Sequence, residues 1–275
     1  MISGFLESWA LFQWTYLAAL ALAVALATLG VVVVTRGQVF IAAAISQASL
    51  LGLAVNLWLG WGVPVWAATA FSGAAAMMTA RRGTNRPGFS GEEATGWLFL
   101  ACGSLAILVL AKQPVGLKEV QAMMASSVLG ATPGEAALFG ALALAALLLP
   151  WVAGPRLVLL ITDPTMAAAV GIRVGPWVAG LALVLGVCTG LAVQATGLLF
   201  AFGCLILPPL IAKNVCRDVA PMFWVAPWVA VLSTLTGFIL AHHFDFPPGQ
   251  VVVAVMTAAL LAAWIWRGGR AWFWG

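Results

Sequence analysis

The sequence predicts an all-α, polytopic helical membrane protein. Of its 275 residues, 64% are hydrophobic and only 7% are charged, whereas a soluble domain is typically about half apolar and about a quarter charged. The apolar residues form runs of roughly 20, the length that a helix needs to cross a hydrocarbon core of about 30 Å. These runs are apolar on all sides, whereas the strands of a transmembrane barrel alternate apolar and polar residues. A soluble globular fold is therefore excluded, and helices are favoured over strands.

Charged residues, prolines and glycines divide the apolar runs into nine predicted transmembrane helices, or eight if one weak helix is lost. The predicted helices cover 11–34, 39–59, 63–80, 94–111, 135–153, 174–193, 197–212, 220–241 and 249–266. Nine crossings use about 180 residues and leave room only for short loops. We therefore expect a single transmembrane domain over residues 1–275. The short, mildly polar break at 194–197 is interpreted as a turn.

Basic residues predict the orientation of these helices. If the amino terminus lies outside, ten of the twelve basic residues fall at cytoplasmic helix ends, which is the asymmetry of the positive-inside rule. The ten are Arg36, Arg81, Arg82, Arg86, Arg156, Arg173, Lys213, Arg217, Arg267 and Arg270. An odd number of helices then places the carboxyl terminus in the cytoplasm. Topology explains the net charge of +4, so we expect no nucleic-acid partner.

The cytoplasmic loop from Arg156 to Val174 contains a predicted short helix. Thr162 or Asp163 can cap its start, Pro164 suits its first turn, and Gly171 suits its carboxyl-terminal cap. The alanines between these residues favour helix. The segment consists of Asp163, Pro164, Thr165, Met166, Ala167, Ala168, Ala169, Val170 and Gly171.

Two outer segments carry further candidate features. The longest connection covers 112–134, and its middle, 120–129, is a candidate half-helix that dips into the fold. The last outer turn contains the candidate metal ligands His242, His243 and Asp245. Adjacent histidines on a helix point about 100° apart, which suits a single ion poorly. Asp245 is more simply explained as a cap for the last helix, with Pro247 or Pro248 at its start.

The predicted helices contain almost no ionisable side chain away from their ends. Catalysis within the membrane and proton or voltage coupling need such groups at that depth, so we expect neither. The sequence contains no GxxxxGK[ST] phosphate loop, and any ATP that drives the protein therefore binds to another subunit. Ser46 and Gln47 form a polar pair within a predicted helix. Either they form hydrogen bonds between helices or they line a neutral path.

The second half of the chain contains four separated motifs, at 163–172, 196–199, 204–209 and 244–249. Together they resemble the permease subunit of zinc and manganese ABC importers. Residues 163–172 are similar to that family's acidic, alanine-rich segment, which ends in Leu-Gly-Ile or Val-Gly-Ile. Residues 196–199, 204–209 and 244–249 resemble further motifs of the family, in the same order and spacing. The resemblance therefore rests on four separated motifs.

The first half matches this family more loosely, through 46–52 and 81–83. At the positions of the family's acidic residue and histidine, this chain has Ala43 and Gln47. Alanine cannot ligate a metal ion, and glutamine is a weak neutral ligand. This departure favours an alternative substrate, a metal chelate or a small organic solute.

The resemblance implies a multi-pass permease of the cell membrane that transports zinc or manganese. It implies a second permease copy in a homodimer, a cytosolic ABC ATPase that binds ATP and Mg²⁺, and an external solute-binding protein. The segment 163–171 would be the coupling helix that enters a groove on the ATPase. No cofactor is implied in this chain. A divergent permease and a non-transporting scaffold subunit remain alternatives.

Overall fold

The computed structural model describes residues 2–82, 91–111 and 131–274, and every regular element within these ranges is a helix. The helices are α1 (Ile2–Thr35), α2 (Val39–Leu59), α3 (Pro64–Arg82), α4 (Gly91–Ala111), α5 (Pro133–Thr162), α6 (Pro164–Ala169), α7 (Val174–Thr196), α8 (Leu198–Val215), α9 (Val219–Phe244) and α10 (Pro248–Trp274). The all-α prediction is therefore confirmed.

Within the described part of the chain, eight of the ten helices are long and apolar enough to cross a membrane. The one predicted crossing that does not meet both requirements is α3. It is present as a helix of 19 residues, which is a length of about 28 Å. It is less apolar than the others because it contains Thr69, Ser72 and Thr79, and it ends in Arg81 and Arg82. The prediction of a polytopic membrane protein is confirmed, with eight helices that meet both requirements.

Prolines and a glycine with a positive φ mark several helix ends. Four helices begin at a proline, which suits the first turn because the N–H that proline lacks would be unpaired there anyway. These residues are Pro64, Pro133, Pro164 and Pro248. The break predicted at 194–197 is shorter than expected, because α7 continues to Thr196 and Gly197 alone, with φ of 85°, separates it from α8.

The first and last helices extend beyond the parts that can span a membrane. α1 has a kink at Phe12 (φ −112°, ψ 17°), and its spanning part, Phe12–Thr35, agrees with the predicted 11–34. α10 was predicted over 249–266. It runs from Pro248 to Trp274, and its spanning part ends at Arg267.

α5 is longer than the sequence predicted. The predicted helix ended at residue 153 and a loop followed from Arg156, whereas the helix continues through Pro150 and Pro155 to Thr162. A proline inside a helix removes one backbone hydrogen bond. Membrane helices tolerate this loss because neighbouring helices, side chains or waters satisfy the freed carbonyl groups. The predicted end near residue 153 was therefore wrong, and Arg156 lies on the helix.

The described helices form two compact units. Unit 1 contains α1, α5, α9, α10 and the part of α8 from Gly203 onward. Unit 2 contains α2, α3, α4, α6, α7 and the first residues of α8. The single permease domain over 1–275 stays a prediction.

Small residues allow the helices of unit 1 to pack closely. A Cβ atom at Gly30 would overlap the carbonyl oxygen of Leu205 and lie 2.8 Å from Cγ of Pro209. Ala25 on α1 packs with Ala143 and Ala146 on α5. Membrane helices associate largely through such close contacts, because lipid provides no hydrophobic driving force between them.

Small residues also allow close packing around α3 in unit 2. Gly52 on α2 lies against Ala67, and Gly186 and Gly190 on α7 lie against Ser72. The Ser72 hydroxyl also donates a hydrogen bond of 2.7 Å to the carbonyl oxygen of Gly186. α3 is therefore held between α2 and α7 even though it is the least apolar of the long helices.

Replacement of Gly30 by alanine tests the close packing of α1 on α8. We expect Gly30→Ala to destabilise the chain by about 1–3 kcal/mol, because overpacking forces a shift of backbone. Gly140→Ala is the matched control, since a Cβ at this helical glycine would have no atom within 4 Å beyond its chain neighbours and the backbone of its own helix. Thermal unfolding of the purified chain in detergent measures both. Equal melting temperatures for the two variants would contradict the packing.

Cysteine labelling tests the predicted orientation. Cys216 lies just after α8 and is half-buried, whereas the other three cysteines are buried. A membrane-impermeant maleimide should label Cys216 in inverted vesicles and leave it unlabelled in intact cells, because the basic residues place this helix end inside. Desolvation raises the pKa of the Cys216 thiol, so labelling should accelerate as the pH rises and the thiolate forms. Cys216→Ser is the control, and labelling from outside would invert the topology.

Candidate functional site

The short helix α6 begins as the sequence predicts. Asp163 is its N-cap, and Oδ1 of Asp163 accepts hydrogen bonds of 3.0 Å from the backbone N–H groups of Thr165 and Met166. The Thr165 hydroxyl donates a third, short hydrogen bond to the same oxygen. These hydrogen bonds, with that from the Thr165 hydroxyl foremost, lower the pKa of the Asp163 carboxyl. The charged carboxylate therefore stabilises the first turn of α6.

α6 ends as predicted at a left-handed glycine. Gly171 has φ of 88°, and its N–H donates to the carbonyl oxygen of Ala168 at 3.0 Å. The N–H of Ile172 donates to the carbonyl oxygen of Ala167 at 2.9 Å. This arrangement satisfies the carbonyl groups that a helix end leaves unpaired. The residues of 163–171 thus fix both ends of α6, while the role of this helix in coupling stays a prediction.

α6 exposes most of its surface, including two apolar side chains. Met166 is 54% exposed and Val170 is 67% exposed, whereas Ala167 is fully buried. α6 contacts α7 within unit 2, so one small residue anchors the helix and its other side remains free. An exposed apolar face of this kind suits a groove on a partner protein.

Arg36 holds the end of α5, the helix that leads into α6. A guanidinium nitrogen of Arg36, Nη2, donates a hydrogen bond of 3.4 Å to the carbonyl oxygen of Leu160. This carbonyl is one of the last four of α5, which have no partner within the helix. Desolvation lowers the pKa of the half-buried Arg36. From the sequence, Arg36 is expected only to set the topology, because no local motif indicates a contact between residues 124 apart.

Ser46 and Gln47 lie in the middle of α2, within unit 2. Ser46 is buried, and its hydroxyl donates a hydrogen bond of 2.9 Å to the carbonyl oxygen of Ala42 in the same helix. Gln47 lies beside α4, where a Cβ at Gly103 would be 3.4 Å from its Oε1. Between residues 42 and 54, Ala43 and Gln47 are the residues that remain partly exposed. They are four apart and share one face of α2, but a path along that face stays a prediction.

The last outer turn does not bring the predicted metal ligands together. His242 and His243 lie in the last turn of α9 and are exposed, and the ring of His243 packs edge-on against Phe244 at 4.8 Å between centroids. Among the residues that the structure describes, no three His, Cys, Asp or Glu side chains are placed to hold a metal ion.

Asp245 caps a different helix from the one that the sequence predicted. It adopts the left-handed conformation (φ 53°) at the end of α9, and its N–H donates to the carbonyl oxygen of Ala241. Aspartate tolerates this conformation better than most residues do. The prediction that Asp245 caps the last helix was therefore wrong, and α10 begins at Pro248.

The start of α5 carries a capping box that the sequence analysis missed. The carboxylate of Glu135 accepts hydrogen bonds from the N–H and hydroxyl of Thr132, at 2.8 and 3.0 Å, and the N–H of Glu135 donates to the Thr132 hydroxyl oxygen at 3.3 Å. The pattern Thr-x-x-Glu before an apolar run predicts this arrangement. The candidate half-helix at 120–129 lies outside the described residues.

These features define a multi-pass helical membrane protein with a short, doubly capped helix between two of its spans. The chain belongs to the ABC 3 transport family, which it matches over residues 8–267. It is therefore a multi-pass protein of the cell membrane.

Individual relatives are similar over different lengths. The manganese transport system membrane protein MntC of Halalkalibacterium halodurans is 23% identical over 277 residues, which cover 97% of this chain and 94% of that protein. The chelated iron transport system membrane protein YfeD of Yersinia pestis is 26% identical over 105 residues, or 38% of this chain. This match covers 35% of the length of YfeD, so the chain spans about a third of that relative.

A solved structure shares the fold. PsaBC from Streptococcus pneumoniae, determined in complex with a Fab, superposes with a TM-score of 0.80 and covers 96% of this chain and 95% of that one. The sequence identity is 20%, so this likeness concerns the fold alone.

Removal of the Asp163 carboxylate tests the cap of α6. We expect Asp163→Ala to increase amide hydrogen exchange of residues 165–171 several-fold, because two backbone N–H groups lose their acceptor. Asp218→Ala is the matched control, because Asp218 occupies the N-cap position of α9 without a side-chain hydrogen bond. Since the folded-state pKa of Asp163 is lowered, its stabilisation is present above the ordinary pKa of about 3.9 and is lost as the pH falls through the lowered value. Equal exchange in Asp163→Ala and the unsubstituted chain would contradict the cap.

Proposed function

We propose that this chain is the permease subunit of an ATP-binding-cassette importer for divalent metal ions, manganese or zinc. The observation that carries the proposal is α6, a capped helix between two spans with two exposed apolar side chains. Membership of the ABC 3 transport family and a near full-length relative named for manganese transport support it. The chain performs no covalent chemistry, and ATP with Mg²⁺ binds to a separate ATPase subunit.

α6 is the coupling helix in this proposal. Met166 and Val170 enter a groove on the cytosolic ATPase, where full burial of each side chain contributes roughly 1.5–3 kcal/mol. The caps at Asp163 and Gly171 keep α6 short and rigid, so that a movement of the ATPase displaces the helix as one body. The hydrogen bond from Arg36 to Leu160 then carries that displacement from the end of α5 to α1.

The remaining partners act outside the membrane or beside the chain. An external solute-binding protein delivers the substrate, and a second copy of the permease completes the path. Nucleotide-driven exchange between outward and inward access then moves the substrate.

A metal chelate is the second candidate substrate. The partly exposed face of α2 carries Ala43 and Gln47, which are both neutral. Such a face offers a bare divalent cation no carboxylate or imidazole ligand. It suits a cation whose charge is already covered by an organic ligand, and YfeD is named for the transport of chelated iron.

Reconstitution in liposomes tests the importer. With its ATPase and binding protein, the chain should support ATP-dependent uptake of manganese or zinc. Val170→Asp should reduce this uptake at least about ten-fold, because a carboxylate buried without a partner in the ATPase groove is costly. Val63→Asp is the matched control, since Val63 is an exposed valine in the turn between α2 and α3.

Different results separate the alternatives. Uptake of citrate-chelated iron without uptake of free manganese or zinc would favour the chelate. ATP hydrolysis without movement of any of the three would overturn both substrates. Failure of the chain to associate with an ATPase would favour a scaffold subunit.

A further inference from the structure

A basic surface that the proposed transport cycle does not use lies in unit 1, where α8 and α10 end. It consists of the exposed side chains Lys213, Arg217 and Arg267. The spanning part of α8 ends at Val215 and that of α10 ends at Arg267, so all three cations lie at a membrane boundary. Apolar side chains hold the two helices together just inside this boundary. These are Ile211, Leu260 and Ala263.

The guanidinium of Arg267 is held in place on this surface. Its Nη1 donates a hydrogen bond of 3.2 Å to Oδ1 of Asn214, and Nδ2 of Asn214 donates one of 2.8 Å to the carbonyl oxygen of Leu210. Asn214 is neutral, so it orients Arg267 without compensating its charge. A guanidinium has five N–H donors in a planar fork, and most of them remain available for the oxygens of a phosphate.

The charge of the basic surface is not neutralised locally. In the part of the chain that the structure describes, none of its three cations forms an ion pair. Asp218, which follows Arg217, is exposed. Three cations and one carboxylate leave a net charge of +2. This surface therefore attracts an anion.

Apolar side chains adjoin the basic surface on the membrane side. Trp264, Ile265 and Trp266, which directly precede Arg267, are each more than half exposed. Tryptophan is enriched at the level of lipid headgroups, where one part of the ring is apolar and the other can reach water. The anion that fits here is thus an amphiphile with a charged head and an apolar body.

Orientation in the membrane accounts for the sign of these charges but not for their geometry. A cation that only sets topology can remain mobile, and an exposed arginine loses side-chain entropy when it is fixed. The two consecutive hydrogen bonds, from Arg267 to Asn214 and from Asn214 to Leu210, nevertheless hold the guanidinium beside α8. We propose that the basic surface binds the headgroup phosphate of an anionic phospholipid.

Lipid titration of the purified, delipidated full-length chain tests this site. Native mass spectrometry should show tighter binding of dioleoylphosphatidylglycerol than of dioleoylphosphatidylcholine. The double variant Lys213→Gln/Arg267→Gln should weaken the phosphatidylglycerol affinity about 25-fold, because each basic residue near a membrane contributes about five-fold. Arg156→Gln/Arg173→Gln removes the same charge from exposed arginines that are not part of this surface. It should lower the affinity much less than the double variant does, because the site, and not the number of cations near the membrane, determines the binding.

A second variant separates geometry from charge. Asn214→Leu keeps all three cations but releases Arg267, and it should lower the phosphatidylglycerol affinity several-fold. This variant also serves if the double variant does not fold, as judged by thermal unfolding. An equal loss of affinity in the arginine control, or none in Asn214→Leu and the double variant, would overturn the site.

Inorganic phosphate distinguishes a lipid from a free anion. Millimolar phosphate should leave bound phosphatidylglycerol in place, because phosphate alone makes no contact with the tryptophans. Displacement of the lipid by phosphate would overturn the proposal in favour of a free-anion site. The assay contains no ATPase, so its outcome is independent of the proposed transport.

Discussion

Hydrocarbon offers no hydrogen-bond partner to a peptide group, and the architecture of this chain follows from that constraint. A backbone that crosses a membrane must satisfy its N–H and carbonyl groups internally, which leaves helices as the answer in every described span. Apart from the kink at Phe12, irregular backbone within the described ranges lies at helix ends. Several helix ends have specific stabilising features, such as the carboxylate of Asp163, the positive φ of Gly171 and Gly197, and the Thr132–Glu135 pair. Within the spans, glycine and alanine allow the close contacts that substitute for a hydrophobic driving force.

The same constraint places the chemistry at the ends of the helices. A charge at membrane depth is costly, and Arg36, Lys213, Arg217 and Arg267 lie where helices finish, whereas Arg156 lies on α5. Two of them do more than orient the chain. Arg36 satisfies a carbonyl group of α5, and Arg267 is held by an asparagine on α8. In a protein whose described spans carry few charges, the proposed contacts with partners and with lipid headgroups therefore lie at the boundaries.

The features that sequence could predict are those that local chemistry determines. Apolar runs located the spans, and Asp163, Pro164 and Gly171 defined α6 because each acts within one turn of its own position. The end of α5 was predicted too early. A proline such as Pro155 breaks an isolated helix in water but is accommodated among packed helices. Asp245 was assigned to the wrong helix. An aspartate between two helices can end the first or cap the second, and only the backbone conformation distinguishes the two. The contacts of Arg36 and Arg267 join residues distant in sequence, and no pattern in one sequence records such pairs.

The unexpected length of α5 bears directly on coupling. A flexible loop from Arg156 would have absorbed any displacement of α6 before it reached the membrane. Instead α5 continues to Thr162, and Asp163 alone separates it from α6. Asp163 is itself fixed, because its side chain binds the first N–H groups of α6. In the proposed coupling, one residue with a hydrogen-bonded side chain therefore connects the helix that carries Met166 and Val170 to a 30-residue membrane helix. Under that proposal, Asp163 both caps α6 and forms the whole connection between α5 and α6.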